Sequence, residues 1–204
     1  MFYSYNDLTE HLIATQALHT PKIIDAFRHI DRADFAPETM FENVYGDYPL
    51  QIGYGQTISQ PTTVAMMMEM LQPNEGENIL DIGSGSAWTT AILAYIVKES
   101  GFVTGTERVD QLMKKGIQNL SKYGFKNAKI IYAGKKLGIP GKKFDKILVS
   151  AAAKELPNEL IMQLNKGGKL VIPVQNCIYE ITKLENEKIE LIKHYGFSFV
   201  PLIY

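Results

Sequence analysis

The stretch Asn78–Ala94, NILDIGSGSAWTTAILA, constrains the fold more than any other part of the chain. It opens on a short apolar run, Ile79-Leu80-Asp81-Ile82, that predicts a buried parallel strand. Gly83-Ser84-Gly85-Ser86 makes a turn, and Trp88, Ala91, Ile92 and the run to Ile96 then recur at helical spacing. Strand, glycine turn and helix form the unit that holds a nucleotide-like ligand in a doubly wound sheet. The glycines let the backbone come close to the ligand, and the helix N-terminus presents free N–H groups to it. Glu107 adds weight because it ends the next strand-like run, Phe102–Thr106. A carboxylate at the tip of that strand is placed to accept hydrogen bonds from both hydroxyls of a ribose.

The pattern from Asn78 onward alternates strand and helix. Strands are predicted at 78–82, 102–107, 128–133, 145–150 and 169–174, and helices at 87–98, 109–122 and 157–165. Asp110 or Glu107 could cap the second of these helices, and Gly124 ends it. Such alternation implies a mainly parallel sheet with helices on both faces. Two alternating runs, Ile178–Leu184 and Ile189–Tyr195, then predict an antiparallel hairpin. Ahead of this core, residues 1–45 read as helical, with Leu8, Leu12 and Ile13 on one face. Pro21 suits the first turn of a helix running Lys22–His29, and DRADFAP at 31–37 breaks it. Residues 46–61, GDYPLQIGYGQTISQP, have three glycines, two prolines and little periodicity, so a loop is predicted. An ordered loop of that length inside a compact domain points to function. Thr62–Leu71 predicts a helix whose methionines fill the core. The whole predicts one domain over 1–204: N-terminal helices and loop at 1–61, and an α/β ligand-binding core at 62–204.

Composition narrows the classes of function. With 204 residues, 46% hydrophobic and 21% charged, the chain has the makeup of an ordinary globular protein. A net charge of −1 gives no overall pull toward nucleic acid or membrane. No apolar run approaches the ~20 residues of a membrane span, and MFYSYNDLTEHL lacks the basic and apolar regions of a signal peptide. Cys177, the single cysteine, cannot make an internal disulfide. A cytoplasmic protein, monomeric and free of metal, is expected. Residues 114–146 carry ten lysines and one acid, Asp145. A solvated basic face is the first reading of that segment, and a surface for nucleic acid or an acidic partner the second.

Several segments now carry a family resemblance. YPLQIGYGQTISQP, followed by a methionine-rich helix, closely resembles the substrate loop of protein-L-isoaspartate O-methyltransferases. ILDIGSGSAWTTAILA resembles that family's first S-adenosylmethionine motif. GTER, FDKILVSAAAKELP, QLNKGGKLVIPV and FVPL follow in the family's order, so the resemblance runs from about Thr20 to Leu202. It implies a Rossmann-like S-adenosylmethionine-dependent methyltransferase fold of the α/β class. The sheet would be mainly parallel, with antiparallel C-terminal strands and a helical N-terminal addition. It also implies an enzyme of protein repair. A methyl group passes from S-adenosylmethionine to the free carboxylate of an L-isoaspartyl residue in a damaged peptide or protein, leaving S-adenosylhomocysteine. The ester then closes to a succinimide that reopens partly to normal aspartate.

By the same resemblance Ser59 is the active-site serine. Asp81, Gly83 and Gly85 receive the methionine part of the cofactor and Glu107 its ribose, with Ser84 between the glycines also cofactor-binding. Gln56, Thr57, Arg108 and Gly134 complete the cofactor-binding set. The chain departs from the family at two places. Ala87 stands where the family usually has glycine. Residues 133–136 read Ala-Gly-Lys-Lys where the family has a Gly-Asp-Gly run, so the aspartate that binds the adenine amino group falls at Gly134. Two other functions stay open at this level. One is a methyltransferase with a different substrate, such as nucleic acid drawn to the lysine-rich segment. The other is a non-catalytic binding module.

Overall fold

The computed structural model describes residues 4–204. α1, Tyr5–Ala14, begins under a capping box in which Ser4 Oγ accepts from the Asp7 amide and Asp7 accepts from the Ser4 amide. This satisfies two donors that the first helical turn leaves orphaned. α2, Pro21–His29, has its proline in the first turn, as expected, and buries Ile23, Ala26 and Phe27. The predicted break follows as two 3-10 turns, Arg32–Phe35 and Glu38–Asn43.

Residues 46–61 depart from the predicted loop. β1, Leu50–Gly53, and β2, Gln56–Ile58, pair antiparallel across a two-residue turn, Tyr54-Gly55. Both turn residues have positive φ, 57° and 68°, as a tight hairpin of matching twist requires. Strands of four and three residues are too short to show alternation, and tyrosine at the first turn position hides the signal. α3, Pro61–Leu71, buries Met67, Met68 and Met70 among its apolar residues, the core role expected of them.

The α/β core then runs β3 (Asn78–Ile82), α4 (Trp88–Val97), β4 (Phe102–Glu107), α5 (Asp110–Ser121), β5 (Ala128–Tyr132), β6 (Phe144–Val149), α6 (Asn158–Met162) and β7 (Leu164–Val174). The hairpin β8 (Cys177–Lys183) and β9 (Ile189–Tyr195) closes the chain's sheet. The strand order is β5-β4-β3-β6-β7-β8-β9, parallel through β7 and antiparallel after it. The third core helix is shorter than the predicted 157–165 because Leu164 already pairs with Phe144 of β6. Gly167, at φ 73°, and Gly168 then let β7 slip register before Lys169 rejoins the ladder. A Cβ on Gly168 would lie 2.8 Å from the Asn165 carbonyl oxygen.

Two cores flank the sheet. One joins the N-terminal helices to α3 and α4, with Phe27 packed edge-on against Trp88. The other gathers Leu80, Ile82, Ile147, Val149 and Leu160 on the opposite face. Ile79 belongs to the first core and Leu80 to the second, so β3 is apolar on both sides, as a central parallel strand must be. The chain leaves β3 toward β4 on one side and returns at β6 on the other. That reversal opens a crevice at the carboxyl ends of β3 and β6, where such sheets bind ligands.

Candidate active site

The glycine turn sits at the mouth of this crevice. Gly83 and Gly85 take φ of 77° and 53°, and the amides of Gly83 and Ser84 both donate to the Thr106 carbonyl at 2.9 and 3.1 Å. Ala87, the N-cap of α4, also lies in the left-handed region at φ 80° and is fully buried. Glycine would hold that conformation without strain. The alanine costs the turn about 1 kcal/mol.

Glu107 is buried at the end of β4. One carboxylate oxygen accepts from the Gly85 amide at 2.9 Å, and the other from the Arg108 and Val109 amides at 2.8 and 2.9 Å. Glu107 therefore ties the glycine turn to the start of α5. Neither Glu107 nor Asp110 is the side-chain cap expected for α5: Val109 takes the N-cap position, Glu107 bonds the amides at and before it, and Asp110 pairs with Lys114. A carboxylate offers about four acceptor positions, so Glu107 keeps capacity toward the cleft.

Asp81 lies behind the turn. It is fully buried, and one oxygen accepts from the hydroxyls of Thr89 and Thr90 at 2.8 and 2.6 Å. Burial pushes its carboxyl up to about 6; the threonine hydrogen bonds oppose that, and the nearby Glu107 charge adds to it. Asp81 braces the turn against α4 and is absent from the walls of the cleft.

Seven of the named residues, Gln56, Thr57, Gly83, Gly85, Glu107, Arg108 and Gly134, line one cleft. Ser59 and Ser84 line an inner recess that shares Thr57, Gly83 and Gly85 with it. Gly134 lines the cleft together with Ala133 and Lys136. Its backbone is not left-handed, and a Cβ there would meet no atom within 4 Å. The turn also holds three buried polar atoms without partners among the described residues: Asp81 Oδ1, Ser84 Oγ and Ser86 Oγ. Two glycines and an acidic strand end on the cleft, with unsatisfied serine hydroxyls in the recess that opens from it, fit a polar nucleoside-bearing cofactor.

Ser59 is held from outside the sheet. Its carbonyl accepts from Arg32 Nη2 at 3.1 Å, while its hydroxyl has no partner among the described residues. Arg32 also donates to the carbonyls of Val44, Gly46 and Tyr48. Asp47 latches the other side, accepting from the Thr62 amide and hydroxyl and from the Gln60 amide group. A groove of about 600 Å³ leads from the surface to Ser59, between Pro49–Thr63 and the segment Gly196–Val200.

Three residues at this site went unnamed in the sequence reading. Ser150, just past β6, lines the cleft, the recess and the groove together. Its place at the carboxyl end of a strand beside the switch point was a usable signal. Arg32 and Asp47 act from within the chain's irregular segments, where no periodicity marks them. Among the described residues, no three His, Cys, Asp or Glu side chains converge as a metal site.

Comparison with known proteins agrees with this geometry. The family model for protein-L-isoaspartate(D-aspartate) O-methyltransferase matches residues 3–204. The protein-L-isoaspartate O-methyltransferase of Methanopyrus kandleri is 37% identical over 202 residues, 96% of this chain and 89% of its own length. That of Pyrococcus horikoshii is 36% identical over 209 residues, covering 100% of this chain and 94% of its own. A Plasmodium falciparum structure, assigned as a protein-L-isoaspartate O-methyltransferase and in complex with S-adenosyl-L-homocysteine, superposes with a TM-score of 0.88 at 27% identity. The match covers 99% of both chains. With the fold, the cleft and the matched sequence in agreement, the chain belongs to the protein-L-isoaspartate O-methyltransferase family of S-adenosylmethionine-dependent enzymes.

Proposed function

We propose that this enzyme methylates the free carboxylate of L-isoaspartyl residues in damaged peptides and proteins, with Ser59 orienting the acceptor. The observation that carries the reading is the junction at Thr57, Gly83 and Gly85, where the cleft meets the recess that holds Ser59. Thr57 and Ser150 line the cleft, the recess and the groove alike, so a ligand in the cleft and a peptide in the groove come together beside Ser59.

S-adenosylmethionine, when bound, supplies a methyl group already activated on a sulfonium. The acceptor carboxylate has a pKa of roughly 3.5 and is ionised at neutral pH without a base. The residues therefore have two tasks: to hold the acceptor in line and to keep water out. Ser59 can donate one hydrogen bond to the carboxylate through its free hydroxyl. Its backbone is fixed by Arg32, so that donor is already aimed. Positioning of this kind contributes up to roughly 7–11 kcal/mol in the best cases. Glu107 takes the ribose with its remaining acceptor positions, and Gly83, Ser84 and Gly85 face the methionine part. Gln56, Thr57, Arg108 and Gly134 complete the walls. Asp81 serves from behind, through the threonines of α4.

We place the enzyme in the cytoplasm as a monomer. Its single cysteine suits a reducing compartment, and among the described residues no helix is long and apolar enough to cross a membrane. Transfer of labelled methyl from S-adenosylmethionine to an isoaspartyl peptide, against its aspartyl counterpart, tests the function. Labelling confined to the isoaspartyl peptide is expected. Equal labelling, or labelling of RNA instead, rejects the substrate assignment.

A further inference from the structure

Arg32 is fully buried, yet among the described residues it makes no ion pair with a carboxylate. Its guanidinium donates to four backbone carbonyls: Val44 at 2.7 Å, Gly46 at 3.0 Å, Tyr48 at 2.9 Å and Ser59 at 3.1 Å. The indole ring of Trp88 lies 5.6 Å from its central carbon. Nε has no partner among the described residues. Burial lowers the pKa to about 10, so the group stays charged at neutral pH. As a device for stability this is poor, because a buried cation with no carboxylate in direct contact, and only the nearby Asp47 charge to favour it, loses solvation that neutral carbonyls only partly replace.

The placement of those four carbonyls gives the arginine another use. All of them belong to the single segment, 44–59, that ends at Ser59. Three sit at alternate positions, 44, 46 and 48, where the chain is bent away from regular structure, and the fourth is the carbonyl of Ser59 itself. A planar fork with donors in fixed directions can gather four oxygens in this way. An ammonium, a point charge with three rotatable donors, cannot.

We propose that Arg32 is a positioning residue for methyl transfer, which fixes the 44–59 segment so that the Ser59 hydroxyl faces the acceptor carboxylate. The proposal rests on the reading of Ser59 given above. It adds that the aim of this hydroxyl is set by a guanidinium remote from the reacting atoms, and it separates Arg32 from a residue that merely stabilises the fold.

A double-mutant cycle tests it. Arg32→Lys, Ser59→Ala and the pair would be compared with the parent by single-turnover methyl transfer to an isoaspartyl peptide. Calorimetry with S-adenosylhomocysteine and the thermal midpoint would be followed in parallel. A displacement of about 1 Å at a reacting group can lower a rate by roughly a hundredfold, so Arg32→Lys is expected to slow transfer by about ten- to a hundredfold. Cofactor affinity should stay within about twofold, since Arg32 lies outside the cleft. In the Ser59→Ala background the same change should slow transfer by less than about threefold, because the group it aims is gone. A full effect in both backgrounds, or none in either, overturns the proposal. If Ser59→Ala alone leaves transfer unchanged, the catalytic reading of Ser59 fails first. If Ser59→Ala slows transfer and Arg32→Lys does not, only the Arg32 proposal fails. Should Arg32→Lys not fold, Arg32→Gln takes its place in the cycle. If neither gives a folded protein that binds S-adenosylhomocysteine, Arg32 is a residue of stability and the proposal is rejected.

Discussion

The glycine turn at 83–87 and the segment 44–59 meet at the same cavity but are held in opposite ways. The turn is fixed by the sheet: its amides bond the Thr106 carbonyl and the Glu107 carboxylate, and its shape follows from left-handed backbone at Gly83, Gly85 and Ala87. Outside its short hairpin, the segment at 44–59 is fixed by side chains, with Arg32 on its carbonyls from outside and its own Asp47 reaching to the start of α3. Backbone-held geometry is rigid and local, whereas side-chain-held geometry can be undone by one substitution at a distance. Damage to the turn should therefore appear in cofactor binding or stability, and damage to the latches in turnover.

The largest effect expected is on the turn's own stability. Burial raises the Asp81 carboxyl to about 6 in the folded protein, above the ~3.9 of an unfolded chain. The folded state then holds more protons between about pH 4 and 6, so this group's contribution to stability falls as pH rises across that window. Above it the penalty is complete, roughly 3 kcal/mol. Asp81→Asn removes the titration. Urea unfolding from pH 4 to 8 should show the variant gaining on the parent through that window and then running parallel. A constant difference at every pH would clear Asp81 of the penalty.

Glu107→Gln comes next. The carboxylate accepts from three amides, and an amide side chain must turn its NH₂ toward one of them. Loss of a charge-assisted hydrogen bond costs roughly 1.5–3 kcal/mol, so S-adenosylhomocysteine should bind about ten- to a hundredfold more weakly. Unchanged affinity in a folded variant would detach Glu107 from the cofactor.

Asp47→Ala probes the latches. It removes the acceptor of the Thr62 amide and hydroxyl near the start of α3, a change on the scale of a lost helix cap, about 1 kcal/mol. Hydrogen exchange should rise in 44–62 and methyl transfer should slow, with S-adenosylhomocysteine affinity unaltered. Weaker cofactor binding would erase the contrast between the two regions.

Ala87→Gly should have the smallest effect. It relieves left-handed strain but empties the space of one buried methyl, and these terms nearly cancel to within about 1 kcal/mol. A loss well above that value would show that the methyl packs something essential.

The turn was legible in the sequence because its parts are local. Glycines, a preceding apolar run and a following helical period all fall within seventeen residues, and Glu107 was named from its place at a strand end. The latches were not legible for the converse reason. Arg32 lies 27 residues from Ser59, in a stretch that read only as a helix break. Arginine is also expected at the surface. The hairpin at 50–58 was missed because six paired residues, a bulge at Ile52 and a Tyr-Gly turn carry too little alternation to register. The short α6 was missed because the competing claim on Leu164 comes from a strand twenty residues earlier.

The segment after β9 crosses from one compartment to the other. Gly196–Val200 walls the groove, Val200–Leu202 walls the cleft, and two backbone hydrogen bonds of 2.8 Å fasten it to Ala152. On the proposed reading, with the cofactor in the cleft and the peptide in the groove, the two ligands share a partition. Anything that steadies this partition from one side steadies it for the other, and reciprocity then requires equal factors. A peptide that tightens S-adenosylhomocysteine is tightened by it to the same degree. Turnover would then slow as S-adenosylhomocysteine and the methylated peptide linger together, which ties the rate of the repair cycle to the release of both.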